Sequence, residues 1–466
     1  MGLAREIEKR WPDAQIYQSS LAEAEGGEAL LLRLRGKGLL AVSGRLRVQF
    51  EGEDRETIRL CPTSRANRLA LNRAFPYTAP KALGSKAATF GFGDRLGYAN
   101  PMQLASLEGT GFLPVLAQQS MRELSLMGRS YGQVIDTASW AAFRQGWKLG
   151  FAADGDHLKT LDEVQAALDA GCTMITLDCS LALGTPPDDE PDRGHWPEDY
   201  LQSKAAKELD LNFDDALLWQ LEQTYSGALK LARDVAQKAI HPAGREIDFE
   251  LSVDETEDVT SAQAHFYIIH ELRRSGVELC SLAPRFVGEF QKAVDYMGDL
   301  RELRAQMRAH ARLADHFGHK LSLHSASEKF SVFSIFAEET KGRCHVKTSG
   351  TSWLEAVECI AKVSPCLFRD MFSKALASLN QAKQLYAVQC APDRIPAPDK
   401  LNDSELPTLM ELAQSDFRQL MHITYGFILA DEDLNERICT FMEEHRSLYE
   451  AEALDLYRRH MAVIGR

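Results

Sequence analysis

WKLGFAADGDHLKTLDEVQAALDAGCTMITLD, residues 147–178, is a complete strand–loop–helix–turn–strand unit, and its reading decides the fold class. Residues 149–153 are short and apolar, as a buried strand is, and 154–159 (DGDHLK) read as a polar loop. Thr160 and Glu163 form a capping box, because a hydroxyl and a carboxylate at that spacing satisfy the orphan amides of a helix start. Leu161, Val164 and Leu168 share one helical face, Gly171 suits the left-handed helix end, and 174–177 is the next strand.

The same grammar recurs along the chain. Helices over about 261–274, 299–316 and 331–340 end near Gly276, Gly318 and Gly342, and feed strands at 277–282, 320–323 and 344–346. With 90–92, 247–251 and a last candidate at 422–425 the strands number eight. Parallel strands joined by helices make an α/β sheet, and eight permit closure into a TIM-type (β/α)8 barrel; an open doubly wound sheet is the alternative. Helices over 352–362, around 365–388 and from about 433 complete the outer layer, and 391–407 is a Pro-rich loop. The acidic stretch 185–194 reads as a solvated loop and a candidate lid. Residues 1–85 differ: short apolar runs at 30–34, 39–42 and 46–50, broken by Gly36, Gly38 and Gly44, predict a small β-rich N-terminal region. The catalytic barrel then spans 86–466.

Composition narrows the function. A net charge of −14 over 466 residues argues against a nucleic-acid surface but not against a locally basic pocket for a small anion. No run of 18 apolar residues suggests a membrane span, and the charged start MGLAREIEKR is no signal peptide. Nine cysteines, scattered without a C-x-x-C pair, read as buried small hydrophobes in a reducing cytoplasm. A homo-oligomer is compatible with all of this.

In parallel barrels the reactive groups sit at the C-terminal strand ends. Glu250 and His324 fall within apolar strands, where an unpaired carboxylate is costly, so they are expected to bind a divalent ion (Zn, Mn, Co or Ni). His345, Asp178 and His157 are further candidate ligands. Asp156, His157, Lys159 and Glu289 are candidate proton-transfer groups. Thr348, Ser349 and Thr351 precede a helix whose amides suit an anion, with Lys347 or Arg285 beside them, and plain capping is the bland alternative. Gly91, Gly93 and Gly97 make no dinucleotide fingerprint, so no organic cofactor is expected.

The strand ends carry GDRLG (93–97), ADGDHLKT (153–160), SVDET (252–256), APRFVGEFQK (283–292), HSASEKF (324–330) and HVKTSGT (345–351). Through these stretches the chain resembles the tagaturonate epimerase family. Ala326 and Glu328 stand where the family more often has Gly and Asp. The resemblance implies metal-dependent interconversion of D-tagaturonate and D-fructuronate in hexuronate catabolism. The two keto-acids differ one carbon beyond the position next to the ketone, so α-proton exchange alone cannot interconvert them. Retro-aldol cleavage and rejoining is expected rather than transient oxidation. Asp156 or His157 would pair with Glu289 as acid and base. Arg95, Asp154, Arg285, Ser325, Lys329, Lys347, Thr348, Ser349 and Thr351 would hold the sugar acid. The alternatives are a metal-dependent aldolase or isomerase of a phosphorylated sugar, a neutral-ketose epimerase, and a non-catalytic sugar-binding protein.

Overall fold

The computed structural model describes residues 2–186, 193–256, 258–386 and 388–465. The N-terminal segment is an antiparallel sheet of β1 (Gln15–Ile16), β2 (Ala22–Ala24), β3 (Gly27–Leu34), β4 (Lys37–Ser43), β5 (Glu53–Arg55) and β6 (Ile58–Pro62). Their order is β1-β3-β4-β6-β5, with β2 on β3. Strand periodicity sorts the apolar run of β3 onto two faces. Ala29 and Leu31 pack with Trp140 and Phe143 of the helix Tyr131–Gln145, whereas Leu30 and Leu32 pack on Leu3 and Ile7. The sheet is thereby fixed to the outer layer of the barrel.

The barrel consists of β7 (Thr89–Phe92), β8 (Leu113–Ser120), β9 (Ala152–Leu158), β10 (Met174–Asp178), β11 (Asp248–Val253), β12 (Ser281–Pro284), β13 (Lys320–Leu323) and β14 (Cys344–Thr348). All pairs are parallel, and His345, Val346 and Lys347 of β14 register with Thr89, Phe90 and Gly91 of β7, which closes the ring. That closure excludes the open sheet. The capping box of Thr160 and Glu163 is present, and Gly171 ends its helix at φ 109°.

One expected strand is a helix, and another strand takes its place in the barrel. Residues 422–425 lie inside the helix Ser415–Leu429, which is buried almost all round and so shows no amphipathic stripe. The missing strand is β8, LPVLAQQS, disguised by Pro114 and two glutamines. Inside the barrel Gln118 Nε2 donates to the Thr348 carbonyl at 3.1 Å and Gln119 Nε2 to the Asp94 carbonyl at 2.9 Å. Residues 154–158, expected as loop, continue β9, because the upper barrel interior is polar and accepts carboxylates. The strand expected at 277–282 starts later and runs further, over Ser281–Pro284. The helix expected to 388 ends at Ala382, and the C-terminal helix is two, Glu432–Glu444 and Arg446–Ile464. Cys366 and Cys439 are exposed, contrary to the expectation that all nine thiols are buried. Most of the acidic stretch expected as a lid, 187–192, lies outside the described residues. No helix among the described residues is long and apolar enough to cross a membrane.

Two irregularities shape the rim. The β8–β9 and β9–β10 ladders shift register, and Ala117 and His157 adopt positive φ of 56° and 55°. Such bulges re-aim side chains. Here the bulge turns His157 to the same side as its neighbour Asp156, so that His157 Nδ1 and Asp156 Oδ1 meet at 2.8 Å.

Candidate active site

A cavity of about 690 Å³ opens at the C-terminal ends of the barrel strands. Its floor is an ion cluster. Lys347, rising from β14, places Nζ 2.8 Å from Asp154 Oδ2, 2.7 Å from Asp156 Oδ1 and 3.1 Å from Glu250 Oε1. The Thr176 hydroxyl also touches Lys347 and bonds both Asp154 oxygens at 3.0–3.1 Å. All of these groups are buried. Burial alone would neutralise Lys347, but three carboxylates hold it charged. Burial raises Asp154 to about 6 despite Lys347, whereas for Asp156 burial is outweighed by His157 and Lys347, and its carboxyl stays well below the usual range.

Above the floor, His324 Nε2 lies 2.8 Å from Glu250 Oε1, and Ser281 Oγ donates to Glu250 Oε2 at 2.5 Å. The other ring nitrogen, His324 Nδ1, is buried and makes no hydrogen bond, although Asp254 Oδ1 is only 3.3 Å away. His157 stacks obliquely on His324, with ring centroids 4.8 Å apart. His157, Asp254 and His324 each offer an atom within 4.8 Å of the others. Two imidazoles and a carboxylate, with one nitrogen left over and facing an oxygen, fit a borderline divalent cation. The charge count agrees: with neutral imidazoles the cluster holds Asp154, Asp156, Glu250 and Asp254 against Lys347 alone. Burial opposes charge on His324, but Asp254 and Glu250 raise it to about 10, so the pocket pulls in positive charge.

The expected ligands therefore separate. Glu250 and His324 adjoin, with Glu250 as the oxygen that orients the ring. Asp178 instead pairs with Lys159 Nζ at 3.0 Å on the cavity wall. His345 lies lower in the barrel, its Nδ1 2.9 Å from Thr89 Oγ1, and burial pushes it down to about 3. Asp254 joins the group from outside the expected set, yet Glu250, Ser252 and Asp254 alternate onto one face of β11 and its extension, a signal present in the sequence.

Cationic side chains line the same cavity. Arg285, Lys292 and Arg122 line the cavity, and among the described residues none has an ion-pair partner. Arg285 Nε is buried without a hydrogen bond. Lys292 Nζ donates only to Ser325 Oγ, at 3.0 Å, and burial together with Arg122 lowers its basicity. Arg122 lies over the Tyr386 ring at 4.3 Å. Glu289 also lines the cavity from an exposed position, tied by backbone bonds to Met297. Sequence reading passes over Arg122 because it follows β8, a strand without a strand-like pattern.

Arg95, Thr348 and Ser349, expected to hold the substrate, line the cavity and also make internal contacts. Arg95 pairs with Glu123 at 2.9 Å, donates to the His422 carbonyl at 3.1 Å and covers the Tyr425 ring. Lys329 faces away from the cavity, caged by the carbonyls of Gln291, Val294 and Ser327, and burial lowers it to about 8. The 348–351 loop is largely satisfied by its neighbours. Thr348 Oγ1 donates to the Gly91 carbonyl at 2.9 Å, the Ser349 amide donates to Ser327 Oγ, and Thr351 Oγ1 donates to the same hydroxyl. No side chain caps the helix Thr351–Val363, whose cap residue Gly350 is left-handed.

A family model described as tagaturonate epimerase matches residues 17–464. The tagaturonate/fructuronate epimerase of Thermotoga maritima is 34% identical over 473 residues, covering 97% of each chain. A crystal structure of the fructuronate-tagaturonate epimerase from Cohnella laeviribosi, complexed with one glycerol, superimposes with a TM-score of 0.92 at 39% identity over 99% of each chain. The native form of that protein gives 0.89 at 38% identity, again over 99% of each chain.

Proposed function

Because the chain belongs to the tagaturonate epimerase family, we propose that it interconverts D-tagaturonate and D-fructuronate in this cavity by retro-aldol cleavage and rejoining. One observation carries the reading: the cavity carries both signs of charge. Carboxylates and imidazoles gather at Lys347, and Arg285, Lys292 and Arg122, three cations without an ion-pair partner among the described residues, line the same cavity. A keto-acid matches both, with its ketone and hydroxyls at the first group and its carboxylate at the second. Nine free thiols support a reducing cytoplasmic setting.

His157, Asp254 and His324 would hold the divalent ion, which when bound supplies Lewis-acid polarisation of the ketone and its neighbouring hydroxyl. Inversion starts when a carboxylate takes the hydroxyl proton at the carbon to be inverted. The bond from that carbon to the one beside the ketone breaks, and its electrons pass to the enediolate of dihydroxyacetone. The other fragment is the aldehyde tartronate semialdehyde. Turned over, it is attacked on its other face, and the new alkoxide takes a proton from a second group. Asp156 on the floor and Glu289 on the rim fill these two roles, and the exposed Glu289 exchanges its proton with water. Arg285 and Lys292 keep the carboxylate-bearing fragment in place while it rotates.

Incubating the purified protein with D-tagaturonate and isotopically labelled dihydroxyacetone tests both levels. D-fructuronate should form, activity should vanish with chelator and return with Mn²⁺ or Zn²⁺, and label should enter the keto-acid pool. Epimerisation without any label uptake would argue for a route that keeps the carbon chain intact.

A further inference from the structure

Outside the barrel strands, three buried histidines touch in series. His265 lies on the helix Ala262–Arg274, His310 on the helix Leu300–Phe317, and His319 just ahead of β13. His265 Nδ1 is 2.8 Å from His310 Nδ1, and His265 Nε2 is 2.8 Å from His319 Nε2. His310 Nε2 lies 3.1 Å from the Thr260 carbonyl. A carbonyl only accepts, so His310 carries its proton on Nε2 and offers Nδ1 as a bare acceptor. His265 must then donate from Nδ1 and accept at Nε2, which requires His319 to donate from Nε2. His319 Nδ1, the last nitrogen, has no hydrogen-bond partner. One terminal carbonyl thus sets every tautomer.

The far end of the series reaches the cavity. Thr260 Oγ1 accepts from the Arg285 amide at 3.0 Å, and the Thr260 amide donates to the Arg285 carbonyl at 3.0 Å. His310 also meets Phe286, the next cavity residue, edge to face at 5.6 Å and 90°. Burial keeps all three rings neutral, with His310 lowered to about 4 and His319 to about 3, so none breaks the sequence by donating in both directions.

We propose that His319, His265 and His310 form a one-way hydrogen-bonded chain that locks Thr260, and that Thr260 in turn is the positioning residue that sets Arg285 against the substrate carboxylate. The second half rests on the keto-acid reading above; the first half does not.

Two measurements test it on the full-length protein. Ring-¹⁵N-labelled histidine, assigned by loss of signals in His265→Asn, His310→Asn and His319→Asn, should show protons on Nε2 of His310 and His319 and on Nδ1 of His265. A proton on Nε2 of His265, or a doubly protonated ring among the three, overturns the chain. Thr260→Val removes the acceptor of the Arg285 amide while keeping the shape. It should raise KM for D-tagaturonate about fivefold to tenfold with kcat changed less than about twofold, and Thr260→Ser should restore KM. An unchanged KM in Thr260→Val, or a loss confined to kcat, overturns the positioning role. Wild-type protein inert toward both keto-acids would count against the reaction assigned above, and the ring tautomers would still decide the chain.

Discussion

His324 Nε2 and Glu250 Oε1, separated by 74 residues of chain, lie 2.8 Å apart beneath the cavity. The contact orients the ring, and with a divalent ion bound Nε2–H would donate to the carboxylate and leave the Nδ1 lone pair, which faces Asp254, for the ion. Carboxylate–histidine pairs of this kind orient imidazoles that bind metal ions. On the proposed ligand set of His157, Asp254 and His324, Glu250 would stand behind the ligand and not among the ligands.

That division has a measurable consequence. Replacing His324 or Asp254 by alanine removes a donor atom, and Zn²⁺ retention after dialysis should fall to background. Glu250→Gln keeps the shape but weakens the orientation of His324, and Zn²⁺ affinity should drop only about 10-fold to 100-fold. Competition with a chromophoric chelator reads the affinities. Equal losses for Glu250→Gln and His324→Ala would return Glu250 to the ligand set.

Lys347 offers a test of the floor. Lys347→Met leaves Asp154, Asp156 and Glu250 buried without their common cation. Removing one partner of a buried ion cluster costs about 3–5 kcal/mol. In chelator-treated protein the urea midpoint should fall accordingly, and adding Asp154→Asn to Lys347→Met should recover part of the loss. If the double variant were no more stable than the single, the three carboxylates would not be sharing Lys347 as described.

How far the sequence discloses this site depends on the kind of signal. The capping box at Thr160 and the helix-closing Gly171 are local chemistry and are legible. The strand-end polar clusters are legible as well, since a charged residue closing an apolar run marks the point where a buried strand emerges at a polar rim. Strand β8 is not, because Gln118 and Gln119 serve an interior that only the closed barrel creates. The role of Lys347 is hidden for a related reason. A lysine near an expected anion site suggests a ligand for substrate, and only the three-dimensional meeting of β9, β11 and β14 shows that its charge is already engaged. Lys292 belongs to the APRFVGEFQK motif, but nothing local distinguishes an unpaired lysine from a paired one.

Glu355 carries a pH dependence away from the site. It is buried on the helix Thr351–Val363, and burial, with Glu358 nearby, raises its carboxyl from 4.5 to about 8. A folded-state pKa above the unfolded one means the native state holds the proton more tightly. That stabilisation is fully present below about pH 4.5 and is lost as pH rises through 8. Urea midpoints of the wild type should therefore decline between about pH 5 and pH 9 by more than those of Glu355→Gln. Parallel curves for the two proteins would show that Glu355 titrates normally.

Lys292 decides between an acid and a neutral sugar. Its ammonium faces the cavity with one hydroxyl partner, Ser325, while Arg122 adds like charge. A cation so placed gains a carboxylate partner when a uronate binds and gains nothing from a ketose. Charge-assisted hydrogen bonds contribute about 1.5–3 kcal/mol, so Lys292→Met should raise KM for D-tagaturonate about 10-fold to 100-fold. The same substitution should leave KM for D-tagatose within about twofold, since that sugar has no carboxylate to lose. Steady-state kinetics on both substrates measure the ratio. A parallel rise for the two sugars would mean that Lys292 shapes the cavity in general, and the carboxylate would have to be sought at Arg285 or Arg122.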